Sequence, residues 1–278
     1  MREICVITGG GSGMGLAAAK EVGKTGKHII LVGRTVSKLE GAVAELESLG
    51  ISAEAYGGDV SNAESMKAAA AYAAGQGVIK AVIHCAGVSP QMTDYVSVLE
   101  IDALGTVYVD QAFAPLMGEE SCILNVSSMS AYMSPYTVYD FYSLVFTDIE
   151  AFKAGFLKLF EAVPQEYRAG MAYAQSKQFC IWYSKRMAIR YGRRGVRVVS
   201  ISPGHFHTPM ENYEGKEGQG TQMARAGALG RVGEAYEIGR MMAFMVSPQA
   251  SYLCGVDLLY DGGTVAAVDA KKEDEKCQ

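Results

Sequence analysis

Residues 4–20 read ICVITGGGSGMGLAAAK, and the order of their parts decides the fold. An apolar, β-branched run over 4–8 ends in Thr8-Gly9-Gly10-Gly11-Ser12-Gly13-Met14-Gly15, and a helical stretch over 13–25 follows. Glycines supply the positive φ of a tight turn. Their missing Cβ atoms let the backbone approach a pyrophosphate, which the free N–H groups and positive end of the next helix attract. Strand, glycine turn and helix in that order point to a dinucleotide site at Gly9, Ser12, Gly13, Met14 and Gly15.

Outward from this stretch the rhythm repeats. HIILVG (28–33), AVIHCAG (81–87), CILNVS (122–127) and VRVVSIS (196–202) read as buried strands. Residues 36–49, 62–75 and 94–117 read as helices. Strands alternating with helices predict an α/β fold: a single-domain, Rossmann-type, doubly wound parallel sheet of about seven strands. No internal repeat or Pro/Ser/Gly-rich linker divides the chain. We expect one domain over 1–268 and a solvated charged tail over 269–278.

The 278 residues are 49% hydrophobic and 20% charged, which suits a globular chain and excludes wholesale disorder. The net charge of −5 argues against a nucleic-acid partner, which needs a basic excess. Lys185, Arg186, Arg193 and Arg194 read as one solvated helix face and its end. No apolar run reaches the ~20 residues that span a bilayer, and the strand pattern at the start leaves no room for a signal peptide. The six cysteines lack CxxC spacing and sit mostly in apolar runs, as reduced core thiols do. A cytoplasmic protein with no structural or catalytic metal is expected.

The second strand ends in Gly33-Arg34-Thr35, without the acid that would bond a ribose 2′-hydroxyl. The planar fork of Arg34 suits a 2′-phosphate. NADP(H) is expected; NAD(H), with Arg34 an ordinary loop residue, stays open. From Met129 to Met171 the rhythm breaks. Ten aromatic residues crowd into the 36 positions from Tyr132 to Tyr167, with Phe152, Phe156 and Phe160 on one helical stripe. This helical insertion reads either as local packing or a subunit contact, or as a wall over an apolar substrate.

Several motifs in order resemble the short-chain dehydrogenase/reductase family over nearly the whole chain. TGGGSGMG matches its TGxxxGxG, and Asp59-Val60, beyond a third strand, matches the acid beside the adenine. His84-Cys85-Ala86-Gly87 matches NNAG with both asparagines replaced. Ser128 followed by Tyr173-Ala174-Gln175-Ser176-Lys177 matches the serine and YxxxK. Pro203-Gly204 with Thr208 matches PGxxxT, and Asp261-Gly262-Gly263 the terminal DGG. The resemblance implies catalytic roles for Ser128, Tyr173 and Lys177. Beside Arg34, read above from its own chemistry, it adds Asp59, Val60, Ala86, Gly87, Tyr173, Lys177, Pro203, Gly204, Phe206 and Thr208 to the cofactor site. The family's tetrad asparagine falls at Asp102, which accepts hydrogen bonds but donates none as an amide does.

The chemistry follows from residue types. Tyr173 and Lys177, four apart, share a helix face. An ammonium beside a phenol favours the phenolate, which exchanges a proton with an alcohol or ketone. Ser128 would hold the oxygen. His84 reads as a satisfied strand-end residue. His205 and His207 are too few for a metal site and either border the substrate or serve the loop. The Gly-rich stretch over about 205–226 reads as a substrate loop, a lid or a plain surface loop.

Forty-five positions separate Ser128 from Tyr173, far more than is usual in the family. With HCAGVSPQ (84–91) and AYAQSK (172–177), this resembles bacterial 3α-hydroxysteroid dehydrogenase/carbonyl reductases. That subgroup's insertion, here about 129–171, covers a tetramer-forming helix surface. A homodimer or homotetramer and an apolar, hydroxysteroid-like or bile-acid-like alcohol are therefore expected. Rival expectations are a carbonyl reductase of other cyclic or aromatic compounds using NAD(H), a dinucleotide sensor without turnover, and a carrier-linked acyl reductase.

Overall fold

The computed structural model describes residues 1–209 and 218–276. Seven parallel strands form the central sheet in the order β3-β2-β1-β4-β5-β6-β9. They are β1 (Glu3–Thr8), β2 (His28–Gly33), β3 (Ala53–Gly57), β4 (Val78–His84), β5 (Ser121–Val126), β6 (Val196–Pro203) and β9 (Asp257–Tyr260). The order in which successive strands are added reverses between β1 and β4, whose ends pair in parallel at Thr8 and His84. At such a switch point the loops leaving the carboxyl ends part and open a crevice. A two-stranded sheet, β7 (Phe206–His207) with β8 (Gly233–Glu234), lies outside. The expected doubly wound single domain is what forms.

The five strands read from the sequence are the central ones, which pair on both edges and bury both faces. β3 (AEAYG) is only half-buried, and β9 (DLLY) closes the edge with half-buried side chains; neither carries a long apolar run.

One face packs α1 (Gly13–Gly23) and α2 (Val36–Ser48) with the helix Ala235–Val246 over Ile7, Leu31 and Ile83. The other packs α3 (Ala63–Gln76), α4 (Tyr95–Val98), α5 (Gly105–Phe113) and α7 (Gln165–Tyr191) over Val6, Val82 and Ile123. Each such aliphatic side chain taken from water contributes roughly 1.5–3 kcal/mol.

The insertion is built of 3₁₀ turns at Met129–Tyr132 and Asp140–Phe146 and of α6 (Ile149–Lys158). The residues 165–171 are already the first turns of α7. Phe152, Phe156 and Tyr142 are fully buried. Their rings meet Phe179 of α7 at 4.9, 6.2 and 5.0 Å, and Phe160 meets Tyr95 of α4 at 6.2 Å. The stripe is therefore core packing that seats α6 over α7 and α4, and its rings form no substrate wall. The sequence period shows that one face is apolar but not what that face meets.

The charged end also differs in form: the helix Thr264–Lys276 runs through it, with residues 271–276 exposed. Residues 210–217, the middle of the expected substrate loop, lie outside the described residues. So do 277–278. Lys185, Arg186, Arg193 and Arg194 are exposed, as the sequence suggests. The five described cysteines are free thiols. No described helix is long and apolar enough to cross a membrane.

One buried acid has a stability consequence. Asp110 on α5 is fully buried, accepts one hydrogen bond from Asn125 Nδ2 at 3.0 Å, and has an unpartnered Oδ1. Burial pushes its carboxyl up to about 7, against the pull of that hydrogen bond. The folded state therefore holds this proton to higher pH than the unfolded chain does. The stability it contributes is complete below the usual aspartate range and is lost as pH rises toward 7. At ~1.4 kcal/mol per pK unit the loss amounts to a few kcal/mol. Asp110→Asn should melt higher than the parent at pH 8 and lose that advantage near pH 4. Equal pH dependence of melting in the two proteins would contradict this.

Candidate active site

The glycine turn brings β1, α1 and the loop after β4 into contact. Gly9 has φ +66°, and a Cβ there would lie 2.8 Å from Ala86 N. A Cβ at Gly15 would meet Gly9 O at 2.5 Å, so only glycine lets α1 seat on the turn. Ser12 is the N-cap of α1 in extended conformation, and its side chain does not cap the helix. Gly13, at φ +54°, faces Thr208, whose Cβ would be 3.4 Å from an added Cβ. The glycine turn thus packs against the loop after β4 and borders the Pro203–Thr208 loop, and the close backbone approaches at Gly9 and Gly15 exclude side chains there. This is the fit a dinucleotide needs.

Thr8 locks the neighbouring loop. Its hydroxyl accepts Ala86 N–H at 3.2 Å, which leaves its own proton for His84 Nδ1 at 2.7 Å. Burial and then the charge of Lys177 lower His84 to about 3, so it stays a neutral acceptor. Asp59 accepts Ser61 N–H at 3.0 Å and its hydroxyl at 2.7 Å; Val60 beside it is buried. Arg34 is exposed at the end of β2.

Gly204 lies so close to Asp261 that a Cβ would come within 2.6 Å of Asp261 Cα. The Asp261 carboxylate caps the following turn, accepting Gly263 N–H at 2.9 Å and Val265 N–H at 2.7 Å. The Phe206 ring is buried and stacks on Tyr260 at 6.0 Å, so the ring is committed to packing. His205 Nε2 lies 3.2 Å from Thr221 Oγ1, and His207 Nε2 is 4.0 Å from Glu234. Among the described residues no group of three His, Cys, Asp or Glu side chains comes together as metal ligands would.

Tyr173 and Lys177 lie one turn apart on α7, with Lys177 Nζ 5.4 Å from the centre of the Tyr173 ring. Lys177 is buried. Its Nζ donates to Val126 O at 3.3 Å and lies 3.6 Å from Asp102 Oδ1. Ser127 Oγ donates to Lys177 O at 2.8 Å. The end of β5 is thereby tied to α7, and Ser128 follows immediately. Ser128 Oγ accepts Ser130 N–H at 3.1 Å as the N-cap of the 3₁₀ turn.

Asp102 arrives by an unusual route. The expected single helix over 94–117 contains a π-helical turn, Leu99–Leu104, between α4 and α5. Such one-residue expansions reset the face that later side chains present. Asp102 is buried, and its Oδ1 accepts Val88 N–H at 3.0 Å. Its Oδ2 has no partner. A Cβ at Gly87 would lie 2.7 Å from Asp102 Oδ1 and 3.4 Å from Lys177 Nζ, so a side chain there would push the carboxylate from its place beside the lysine. Burial favours a neutral amine at Lys177, but the charges of Asp102 and Tyr173 more than offset it and hold the ammonium above the usual lysine range. Burial also pushes the Asp102 carboxyl up, against the pull of Lys177 and of Val88 N–H.

Two buried contributors escaped the sequence reading: Ser127, and Gln178 beside Lys177. The signal for Gln178 was an amide set between the lysine and the apolar run Phe179–Trp182.

A family profile described as short chain dehydrogenase matches residues 3–169, and one described as Enoyl-(Acyl carrier protein) reductase matches 160–265. The chain is similar to Short-chain dehydrogenase/reductase bsc3 of Alternaria brassicicola, with 27% identity covering 96% of this chain and 97% of that one. It is 29% identical to an uncharacterized oxidoreductase, YxbG, of Bacillus subtilis, over 95% of this chain and 91% of the other. A short-chain type dehydrogenase/reductase from Mycobacterium ulcerans superposes with a TM-score of 0.75 at 26% identity, covering 95% and 90% of the two chains. With the fold, the glycine turn and the Tyr173–Lys177 pair in place, the chain belongs to the short-chain dehydrogenase/reductase family of NAD(P)-dependent oxidoreductases.

Proposed function

We propose that this oxidoreductase interconverts a secondary alcohol and its ketone with NADP(H), on an apolar polycyclic substrate of hydroxysteroid or bile-acid type. The observation that carries the reaction class is the buried Lys177 ammonium, held by Asp102 beside Tyr173 and anchored to the strand end that delivers Ser128.

Ser128 donates a hydrogen bond to the substrate oxygen. Tyr173 Oη protonates that oxygen in reduction and takes the proton back in oxidation. Lys177 stabilises the phenolate by its charge, and Asp102 keeps Lys177 charged in a site where burial opposes it. The nicotinamide, when bound, supplies or accepts the hydride. Gly9, Ser12, Gly13, Met14 and Gly15 would hold the pyrophosphate, Asp59 and Val60 the adenine end. Ala86, Gly87, Pro203, Gly204, Thr208 and the backbone at Phe206 would line the rest, together with Tyr173 and Lys177.

The substrate class draws on the long Ser128–Tyr173 spacing and on apolar side chains left exposed after β4, after β5 and at the start of α7. Met92 follows β4, Tyr136 and Val138 follow β5, and Met171 stands on the opening turns of α7. An apolar ligand gains by covering such surface. α6 covers α4 and α7, which directs self-association to other faces.

Turnover with NADPH on a panel of 3-ketosteroids, terpenoid ketones and small polar ketones tests the reading. Steroids should give the highest kcat/KM; turnover of small polar ketones alone would refute the substrate class. Arg34→Asp tests the cofactor choice. Loss of a charge-assisted phosphate contact should raise KM for NADPH about 10- to 100-fold while NADH is used no worse. An unchanged NADPH KM would assign the preference elsewhere.

A further inference from the structure

We propose that Gln178 is a positioning residue which, with its neighbour Lys177, holds the chain on both sides of Ser128 and so sets the serine against Tyr173. The inference rests on the catalytic reading of Ser128 given above.

Gln178 is almost wholly buried, at 1% exposure. Its Nε2 lies within hydrogen-bond reach of four acceptors: Ala131 O at 3.0 Å, Ser134 Oγ at 3.2 Å, Pro135 O at 3.2 Å and Ser134 O at 3.3 Å. Its Oε1 accepts Thr137 N–H at 3.2 Å and Gln175 Nε2 at 3.3 Å. An amide has two N–H protons and two acceptor sites, so this side chain uses its full capacity. All but one of these partners lie on Ala131–Thr137, which has a 3₁₀ turn at its start and no ladder of its own. Buried carbonyls in such a segment need a donor from elsewhere, and Gln178 supplies it. Gln175 extends the tie, donating to the buried Tyr142 Oη at 2.6 Å.

The arrangement is two-sided. Lys177 grips Val126 O with Nζ and Ser127 Oγ with its carbonyl. Gln178, the next residue, grips the chain from Ala131 onward. Ser128 hangs between these anchors, and both stand on the helix that carries Tyr173. Hydrocarbon at position 178 would leave the downstream side untied. The serine would then lose its fixed distance to the phenol while the glycine cradle, built from other elements, would be untouched.

The test is a double-mutant cycle of Gln178→Leu with Ser128→Ala. It is assayed with NADPH and the ketone turned over fastest in the panel above, and rates are normalised to folded protein. Gln178→Leu should lower kcat about 10- to 100-fold, as misplacement of a reacting group does. NADPH affinity, read by nucleotide fluorescence, should stay within about 2-fold, and the pH profile should keep its shape. In the Ser128→Ala background the same substitution should cost no further activity. Full additivity of the two losses, or parental kcat in Gln178→Leu, would overturn the proposal. Parental kcat in Ser128→Ala alone would instead overturn the catalytic reading of the serine. Should Gln178→Leu fold poorly, Gln175→Met removes the supporting bond to Oε1 together with the bond to Tyr142 Oη, and leaves the Gln178 amide on Ala131–Thr137 in place. It should give a smaller fall in kcat that again vanishes in the Ser128→Ala background; a fall that persists there counts against the proposal.

Discussion

Tyr173→Phe should lower kcat about 10²–10⁴-fold, the usual weight of a positioned acid or base. The substitution removes one oxygen and leaves the ring that Lys177 Nζ approaches to 5.4 Å, so packing on α7 is kept. NADPH affinity should change by no more than a few-fold, since the glycine cradle is untouched. A fluorescence titration beside a turnover assay separates the two effects. Undiminished turnover in a folded Tyr173→Phe protein would end the assignment of the phenol as the proton carrier.

The second large effect belongs to Asp102, and it divides between two variants. Asp102→Leu strips the carboxylate beside Lys177 and leaves an uncompensated ammonium in a buried site. Breaking a buried pair in this way costs roughly 3–5 kcal/mol. Urea denaturation at pH 7 should show a loss of that order, and a protein as stable as the parent would contradict the pairing. Asp102→Asn keeps an oxygen for Val88 N–H and should fold. It removes the charge that holds Lys177 above the usual range, so burial then acts unopposed by Asp102 and the lysine loses its proton at lower pH. The alkaline limb of the kcat–pH profile should move to lower pH while activity at pH 6–7 is retained. An alkaline limb that stays in place would show that the carboxylate does not govern the lysine.

Some of this site was legible because its constraints are written in single residues. Gly9 and Gly15 leave no room for a side chain, so the turn and its helix could be read before any coordinates. Tyr173 and Lys177 are adjacent because four residues make about one helical turn. The central strands announced themselves because both faces are buried. Other parts were silent for physical reasons. The π-helical turn that delivers Asp102 arises from a shift in hydrogen-bond partners, which leaves no residue pattern behind. The stripe of Phe152, Phe156 and Phe160 gave a period but no direction, and it turned toward Phe179. β3 and β9 lack the apolar runs of their neighbours. Gln178 does its tying across 41–47 positions of chain, which no local reading can see.

The order of strands in the sheet has a consequence for biosynthesis. β6 pairs on one side with β5 but waits for β9, so its outer edge stays bare until residues 257–260 leave the ribosome. Until then a nascent chain presents an unsatisfied row of amides and carbonyls, the kind of template on which chains associate wrongly. Parallel pairing over such separations is slow to form. Prematurely terminated products ending before β9 should therefore accumulate as insoluble material, and shielding of this margin during translation is where a chaperone would help most.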